Sequence, residues 1–295
     1  MDQGGEMNFL VSVRTEEESE KEATCPGILH KAFPSMNLVP LLSPLMAAGI
    51  CLAATNAVMP PRVLVYTRNG SGFVHDNIAA SVKAIEAMGP AAGFTVDATN
   101  DPCVFTDVSL RRYRAIVFCN SNNEAFTDDA QREAFQRFIR AGGGFAGIHS
   151  ACGSERQWPW FWMLLGGTFA SHPPLQPFTI RIVDRTHPST SFFTNDTWQW
   201  EDEFYLLKER STNVHVLIAG DIRTLKKPGK LTADLTGGAD LCPLAWYQEF
   251  EGGRSWYTAL GHKPEQYKDP LFVKHIQAGI CWAAKLDQPV STPKN

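Results

Sequence analysis

The chain has 295 residues, 44% of them hydrophobic and 20% charged, which permits a substantial core and excludes bulk disorder. Its net charge is −4 and no Lys/Arg run exceeds two residues, which argues against a dedicated nucleic-acid binder. Seven cysteines without a CxxC pair or zinc-finger spacing read as isolated thiols rather than a disulfide framework, with one or two bridges left open if the chain is exported.

Residues 1–35 are mostly polar and carry Glu16-Glu17-Glu18-Ser19-Glu20-Lys21-Glu22, the composition of a disordered extension. Residues 36–60 differ. Leu38 to Ala54 is apolar and uncharged, and small residues follow near Ala57. This is the pattern of a secretory signal with Met36 as its start. A membrane anchor and a plain apolar linker stay open as alternatives, although Pro40 and Pro44 weigh against a spanning helix. The expectation is a secreted protein without stable membrane embedding after signal removal; a membrane-anchored or cytoplasmic one is the alternative.

The globular domain is expected at 61–286, followed by a polar tail at 287–295. Val63 to Tyr66 predicts a buried strand. Asn77 to Met88 sets Ile78, Val82, Ile85 and Met88 on one helical face, with Asp76 at the N-cap position. Phe94 to Ala98 and Ala115 to Cys119 predict two more strands. Asp128 to Ala141 has helical spacing, with Thr127 as N-cap and Gly142 as a left-handed terminator. Phe145 to Ile148 is short, apolar and glycine-flanked, which suits a central parallel strand. The order β-α-β implies a parallel sheet with helices on both faces.

After His149 the alternation weakens. Trp158 to Leu165 predicts a short aromatic helix, and Phe178 to Val183 and Val214 to Ala219 predict strands. Leu244 to Glu249 and Arg254 to Leu260 flank Phe250-Glu251-Gly252-Gly253, a hairpin signal. Asp269-Pro270 starts a helix whose apolar stripe is Leu271, Phe272, Ile276, Ile280 and Ala283.

Spaced motifs run through this region: Phe73-Val74-His75-Asp76, Gly142-Gly143-Gly144-Phe145-Ala146-Gly147-Ile148-His149-Ser150-Ala151, Gly166-Gly167-Thr168-Phe169, Ser171-His172-Pro173, Thr186-His187-Pro188, Glu201-Asp202-Glu203-Phe204-Tyr205, and Trp256-Tyr257-Thr258-Ala259-Leu260-Gly261-His262. Their order and spacing resemble the ThuA-like (trehalose-utilisation) family over roughly Arg62 to Ala284, with most similarity to fungal, often exported, members. The resemblance implies a three-layer α/β/α sandwich, flavodoxin-like and related to class I glutamine amidotransferases. It also implies substrates derived from di- or oligosaccharides, including keto-sugars. At the strand-to-helix elbow, where an amidotransferase carries its nucleophilic Cys, this chain has His149. Cys152 lies three residues on, so amidotransferase activity is not expected.

His149, Glu203 and His75 are the expected catalytic residues, with Asp76, His172, Asp202, Tyr205 and His262 as substrate contacts. His149 and His75 fall at carboxyl ends of strands, where open parallel sheets gather ligands. Asp76 has a competing role as a helix cap. Glu201, Asp202 and Glu203 sit among Trp198, Trp200, Phe204 and Tyr205. Apolar surroundings of that kind raise a carboxyl pKa toward the range of a general acid-base. In a strand, Asp202 and Glu203 face opposite ways unless the chain bends between them. Three histidines and a carboxylate also suit a divalent metal such as zinc, but they lack any local HExxH spacing. The expected ligand is a small-molecule carbohydrate, either processed by acid-base chemistry (isomerisation, elimination or hydrolysis, with or without a metal) or merely bound. His187 ranks below His172, and His215 and His275 read as structural or exposed.

Overall fold

The computed structural model describes residues 59–286. The extension, the signal-like segment up to Val58 and the tail from Asp287 lie outside the described residues, as do Cys25 and Cys51. In chain order the elements are β1 (Arg62–Tyr66), α1 (Ile78–Ala92), β2 (Thr95–Thr99), α2 (Asp107–Leu110), β3 (Tyr113–Cys119), α3 (Asp129–Arg140) and β4 (Gly144–Ile148). These are followed by α4 (Pro159–Leu165), β5 (Thr168–Ser171), β6 (Gln176–Ile182), β7 (Thr197–Asp202), β8 (Leu206–Lys208) and β9 (His215–Asp221). The last are α5 (Ala233–Thr236), β10 (Leu241–Phe250), β11 (Gly253–Thr258) and α6 (Pro270–Ala283).

Nine strands form one sheet in the order β2-β1-β3-β4-β11-β10-β9-β6-β7, and β5 pairs with β8 apart from it. From β2 to β11 every pairing is parallel. From β11 to β7 every pairing is antiparallel. The fold is the expected α/β sandwich, and its parallel half has the flavodoxin-like strand order. The crossover from β1 through α1 moves one way along the sheet, and that from β3 through α3 moves the other. Right-handed crossovers then place α1 and α3 on opposite faces. The reversal falls between β1 and β3, and it opens a crevice above their carboxyl ends.

Burial explains why these segments are strands. All five residues of β4 are buried, and Val63, Leu64, Val65 and Tyr66 of β1 are fully so. Covered on both faces, the parallel strands read as continuous apolar runs rather than alternations. β6 and β7 do alternate, with Phe178, Ile180, Trp198 and Trp200 inward. The hairpin between β10 and β11 turns on Glu251 and Gly252, both at positive φ, as a two-residue loop requires.

Two caps differ from expectation. Asp128, not Thr127, caps α3, its carboxylate accepting from the Gln131 amide at 2.9 Å. Thr127 instead accepts from the Gln131 side chain. At α1 the cap position is Asn77 rather than Asp76, and Asn77 makes no capping bond there. Its amide is spent across the molecule, donating to Asn120 Oδ1, Gly261 O and His262 O. Gly142 adopts the expected left-handed conformation, φ 94°.

Candidate functional site

His149 is the first residue beyond β4 and holds φ 50°, a left-handed backbone that costs a non-glycine residue on the order of 1 kcal/mol. Two bonds secure it. Its Nδ1 donates to Ala259 O at 2.8 Å, and its carbonyl accepts from Tyr257 Oη at 2.8 Å. In the neutral ring the proton is therefore on Nδ1, and Nε2 turns its lone pair toward the side chains around it.

Four groups surround that nitrogen. His75 Nε2 lies at 3.2 Å, Tyr205 Oη at 3.0 Å, His262 Nδ1 at 3.4 Å and Glu203 Oε2 at 3.6 Å. His75 follows β1 by way of a loop, and His262 follows β11 after Gly261, whose φ is 115°. Glu203 and Tyr205 follow β7. Glu203 Oε2 also meets His262 Nδ1 at 3.2 Å, and its Oε1 meets His172 Nε2 at 3.4 Å. Residues from 75 to 262 thus converge on one rim of the sheet.

The strand ends at Asp202, and this lets Asp202 and Glu203 both point inward. The Asp202 carboxylate is fully buried. It accepts from Trp200 Nε1 (2.9 Å), Glu203 N (2.8 Å), Gly261 N (2.9 Å) and Gln266 Nε2 (3.2 Å). It therefore braces the turns that present Glu203 and His262, and it does not line the cavity. Asp76 is exposed and also lies outside the cavity lining. His75, His172, Glu203 and Tyr205 do line it, whereas His149, which is fully buried, and His262 stand behind that lining and reach it through their contacts with His75, Glu203 and Tyr205. The cavity measures about 190 Å³, below the roughly 300–1,000 Å³ of drug-sized pockets. A larger cavity of about 670 Å³ borders Arg62, Tyr113 and Gly143 at the opposite, amino ends of the parallel strands. It holds none of the clustered imidazoles, and doubly wound sheets place their ligands at the other end.

The electrostatics correct one expectation. Glu203 is not raised. Burial works to raise it, but the nearby imidazoles of His149, His262 and His172 hold it well below the usual carboxylate range. The same pairing raises His262, the Glu203 hydrogen bond outweighing partial burial. Burial, reinforced by His149 and His262, pushes His75 down to about 3, so it is neutral at physiological pH. Tyr205 is raised by burial and keeps its hydroxyl proton to donate.

His75, His149, Glu203 and His262 each offer a ligand atom, all within 4.8 Å of one another. Three imidazoles and a carboxylate are a zinc-type donor set. Bonds of 2.0–2.1 Å around a tetrahedral ion would separate its ligand atoms by roughly 3.3 Å. The separations of 3.2–3.6 Å about His149 Nε2 fit that, and Nε2 atoms of two neutral rings facing at 3.2 Å need a proton or cation between them. Cys152, in contrast, is buried, its Sγ rests 3.5 Å from His149 O, and burial pushes its thiol up to about 12. It is no nucleophile.

Sequence reasoning missed Arg156, Ser150 and Asn122, which also line the cavity. Ser150 adjoins His149 and was within reach; Arg156 sits in an irregular stretch with no periodic signal. His187 and His275 belong to a separate buried cluster around Ser189. His215 is exposed and stacks on Tyr247.

The ThuA family, described as trehalose utilisation, matches residues 62–283. This chain belongs to the ThuA family. A ThuA-like protein of Bacteroides uniformis has the same fold at 22% identity, with a TM-score of 0.63 over 78% of this chain and 94% of that one. A second ThuA-like protein, from Parabacteroides merdae, is 18% identical with a TM-score of 0.60, over 80% of this ThuA chain and 94% of its own. No curated protein matches the chain. Among the described residues of this ThuA protein, no helix is long and apolar enough to cross a membrane.

Proposed function

We propose that this ThuA protein is a carbohydrate-processing enzyme that acts on sugar or keto-sugar derivatives by His/Glu acid-base chemistry. One observation supports the reading above others: His149 Nε2 stands at the centre of His75, Tyr205, His262 and Glu203. The family's description as trehalose utilisation supports the substrate class. Chemistry beside a sugar carbonyl needs a base, an acid and something to polarise oxygen. His149 takes the proton on Nε2, and ionised Glu203 stabilises the imidazolium that results. The Tyr205 hydroxyl donates in return. His75 and His262 hold the substrate oxygen, directly or by way of a divalent ion. A zinc ion held by His75 and His262 alone would leave His149 Nε2 free as the base and would supply Lewis-acid polarisation of that oxygen.

The test is a panel of keto-glucosides and keto-disaccharides, assayed on the full chain with and without added zinc. Turnover is expected, with a loss of about 100-fold or more in His149→Ala and an unchanged circular dichroism spectrum. Absence of product under both conditions overturns the catalytic reading; saturable binding without product makes the chain a carbohydrate-binding protein instead. Export through the apolar segment at 36–60, in line with the fungal resemblance, belongs to the same reading. A mature amino terminus just after Ala57 supports it.

A further inference from the structure

Resting on the reading of this cavity as a carbohydrate site, we infer that its ligand is a single sugar unit bearing an anionic group, carboxylate or phosphate, which docks on Arg156 with help from Ser150. Arg156 lines the cavity beside Phe169. Its guanidinium is held by three contacts: Nε donates to Gly153 O at 2.9 Å, Nη2 donates to Asn122 Oδ1 at 3.3 Å, and Cζ lies 5.3 Å from the Phe169 ring centroid. None of these partners is charged, and among the described residues no carboxylate is within ion-pairing distance. Arg132, by contrast, is paired with Glu155 at 2.8 Å, whereas Arg156 is an exposed residue with only neutral partners. The guanidinium is planar, and its N–H groups not used by Gly153 and Asn122 form a fork of the geometry that reads carboxylate and phosphate.

Ser150 provides the independent observation. Its hydroxyl is buried, has no hydrogen-bond partner and belongs to the same lining. Buried hydroxyls go unpaired rarely, and a ligand acceptor satisfies this one. The site is also divided by charge. Glu203, the one carboxylate among the cavity's lining residues, faces His149, His172 and His262 and makes no ion pair with Arg156. A volume of about 190 Å³ accommodates one sugar ring with its substituent and leaves no room for a second ring inside.

Calorimetric titration of the full chain with D-glucuronate, D-glucose 6-phosphate and D-glucose tests this. An anionic sugar is expected to bind about ten- to a hundredfold more tightly than glucose. The preference should fall as salt is added and should vanish in Arg156→Gln. Ser150→Ala should weaken the anionic sugar alone, by about threefold or more. The glucuronate and phosphate arms separate the two anion sources. Equal affinity for all three sugars overturns this inference and leaves the acid-base reading standing. Preference retained in Arg156→Gln, with the melting temperature unchanged, overturns it too. Absence of binding by all three overturns this inference, and the keto-sugar assay decides the acid-base reading separately. Binding is read without turnover, so a catalytically silent protein still decides the matter.

Discussion

Asp202→Asn tests whether the buried carboxylate is the brace of the site. The native group accepts four hydrogen bonds at 2.8–3.2 Å, three of them on Oδ2. The isosteric amide has one acceptor oxygen. Its best placement keeps that oxygen toward Trp200, Gly261 and Gln266 and turns the NH₂ against the Glu203 amide. Bonds to a charged acceptor are worth about 1.5–3 kcal/mol and neutral ones about 0.5–1.5, while a stranded donor pair costs a further 1–3. Added naively these exceed about 5 kcal/mol, but bonds to one carboxylate are not additive and the turn relaxes, so the expected loss is about 3–5 kcal/mol, measured by urea unfolding at pH 7. Hydrogen exchange at the Gly261 amide should speed up in parallel, because that turn loses its charged anchor. A loss below about 1 kcal/mol, with Gly261 still protected, would refute the claim that Asp202 organises Glu203 and His262.

Two further outcomes are expected. Burial pushes His275 down to about 4, against a partly compensating bond to Ser189 O. The unfolded chain therefore binds more protons than the folded one between about pH 6.5 and 4. Stability contributed by this group is intact above pH 6.5 and is lost as pH falls to 4, by about 3 kcal/mol in total. In His275→Asn, which keeps a donor toward Ser189, the slope of unfolding free energy against pH should flatten over that window; an unchanged slope refutes the assignment. Gly279 of α6 lies against Trp256, and an added Cβ would come within 2.2 Å of Cε2 of that fully buried ring. Gly279→Ala should destabilise by about 1–3 kcal/mol even after the helix-propensity gain of about 1 kcal/mol. Trp256→Phe in the same chain should recover part of the loss, and a neutral Gly279→Ala would show that α6 does not pack as described.

The parallel half of the fold was legible because its strands are buried on both faces, so β1, β3 and β4 appear as apolar runs between helical periods. β5, β7 and β8 were not assigned as strands. β5 and β8 have four and three residues, too short for a period of two to register. β7 was obscured by its tryptophans and acidic end. His75, His149 and His262 were readable as strand-end polar residues closing motifs. The pKa of Glu203 was not, because aromatic neighbours in sequence suggest desolvation, while the imidazoles that reverse the shift come from 54 residues upstream and 59 downstream. Asp202 was misplaced for a related reason. A lone acidic residue shows its charge in sequence, whereas the four donors that claim it become visible only after the chain has closed around it.

The wide separation of residues 75, 149, 203 and 262 along the chain has a bearing on how this protein acquires competence. Ribosomal synthesis delivers the last of these side chains only after β11 has been made, and β11 must slot beside β4, laid down about a hundred residues earlier. A chain that stops before β11 carries three of the four side chains but lacks His262 and the strand beside β4. A ligand that bridges these four segments ties the ends of β1, β4, β7 and β11 together, so its binding reports that these strands have all taken their places.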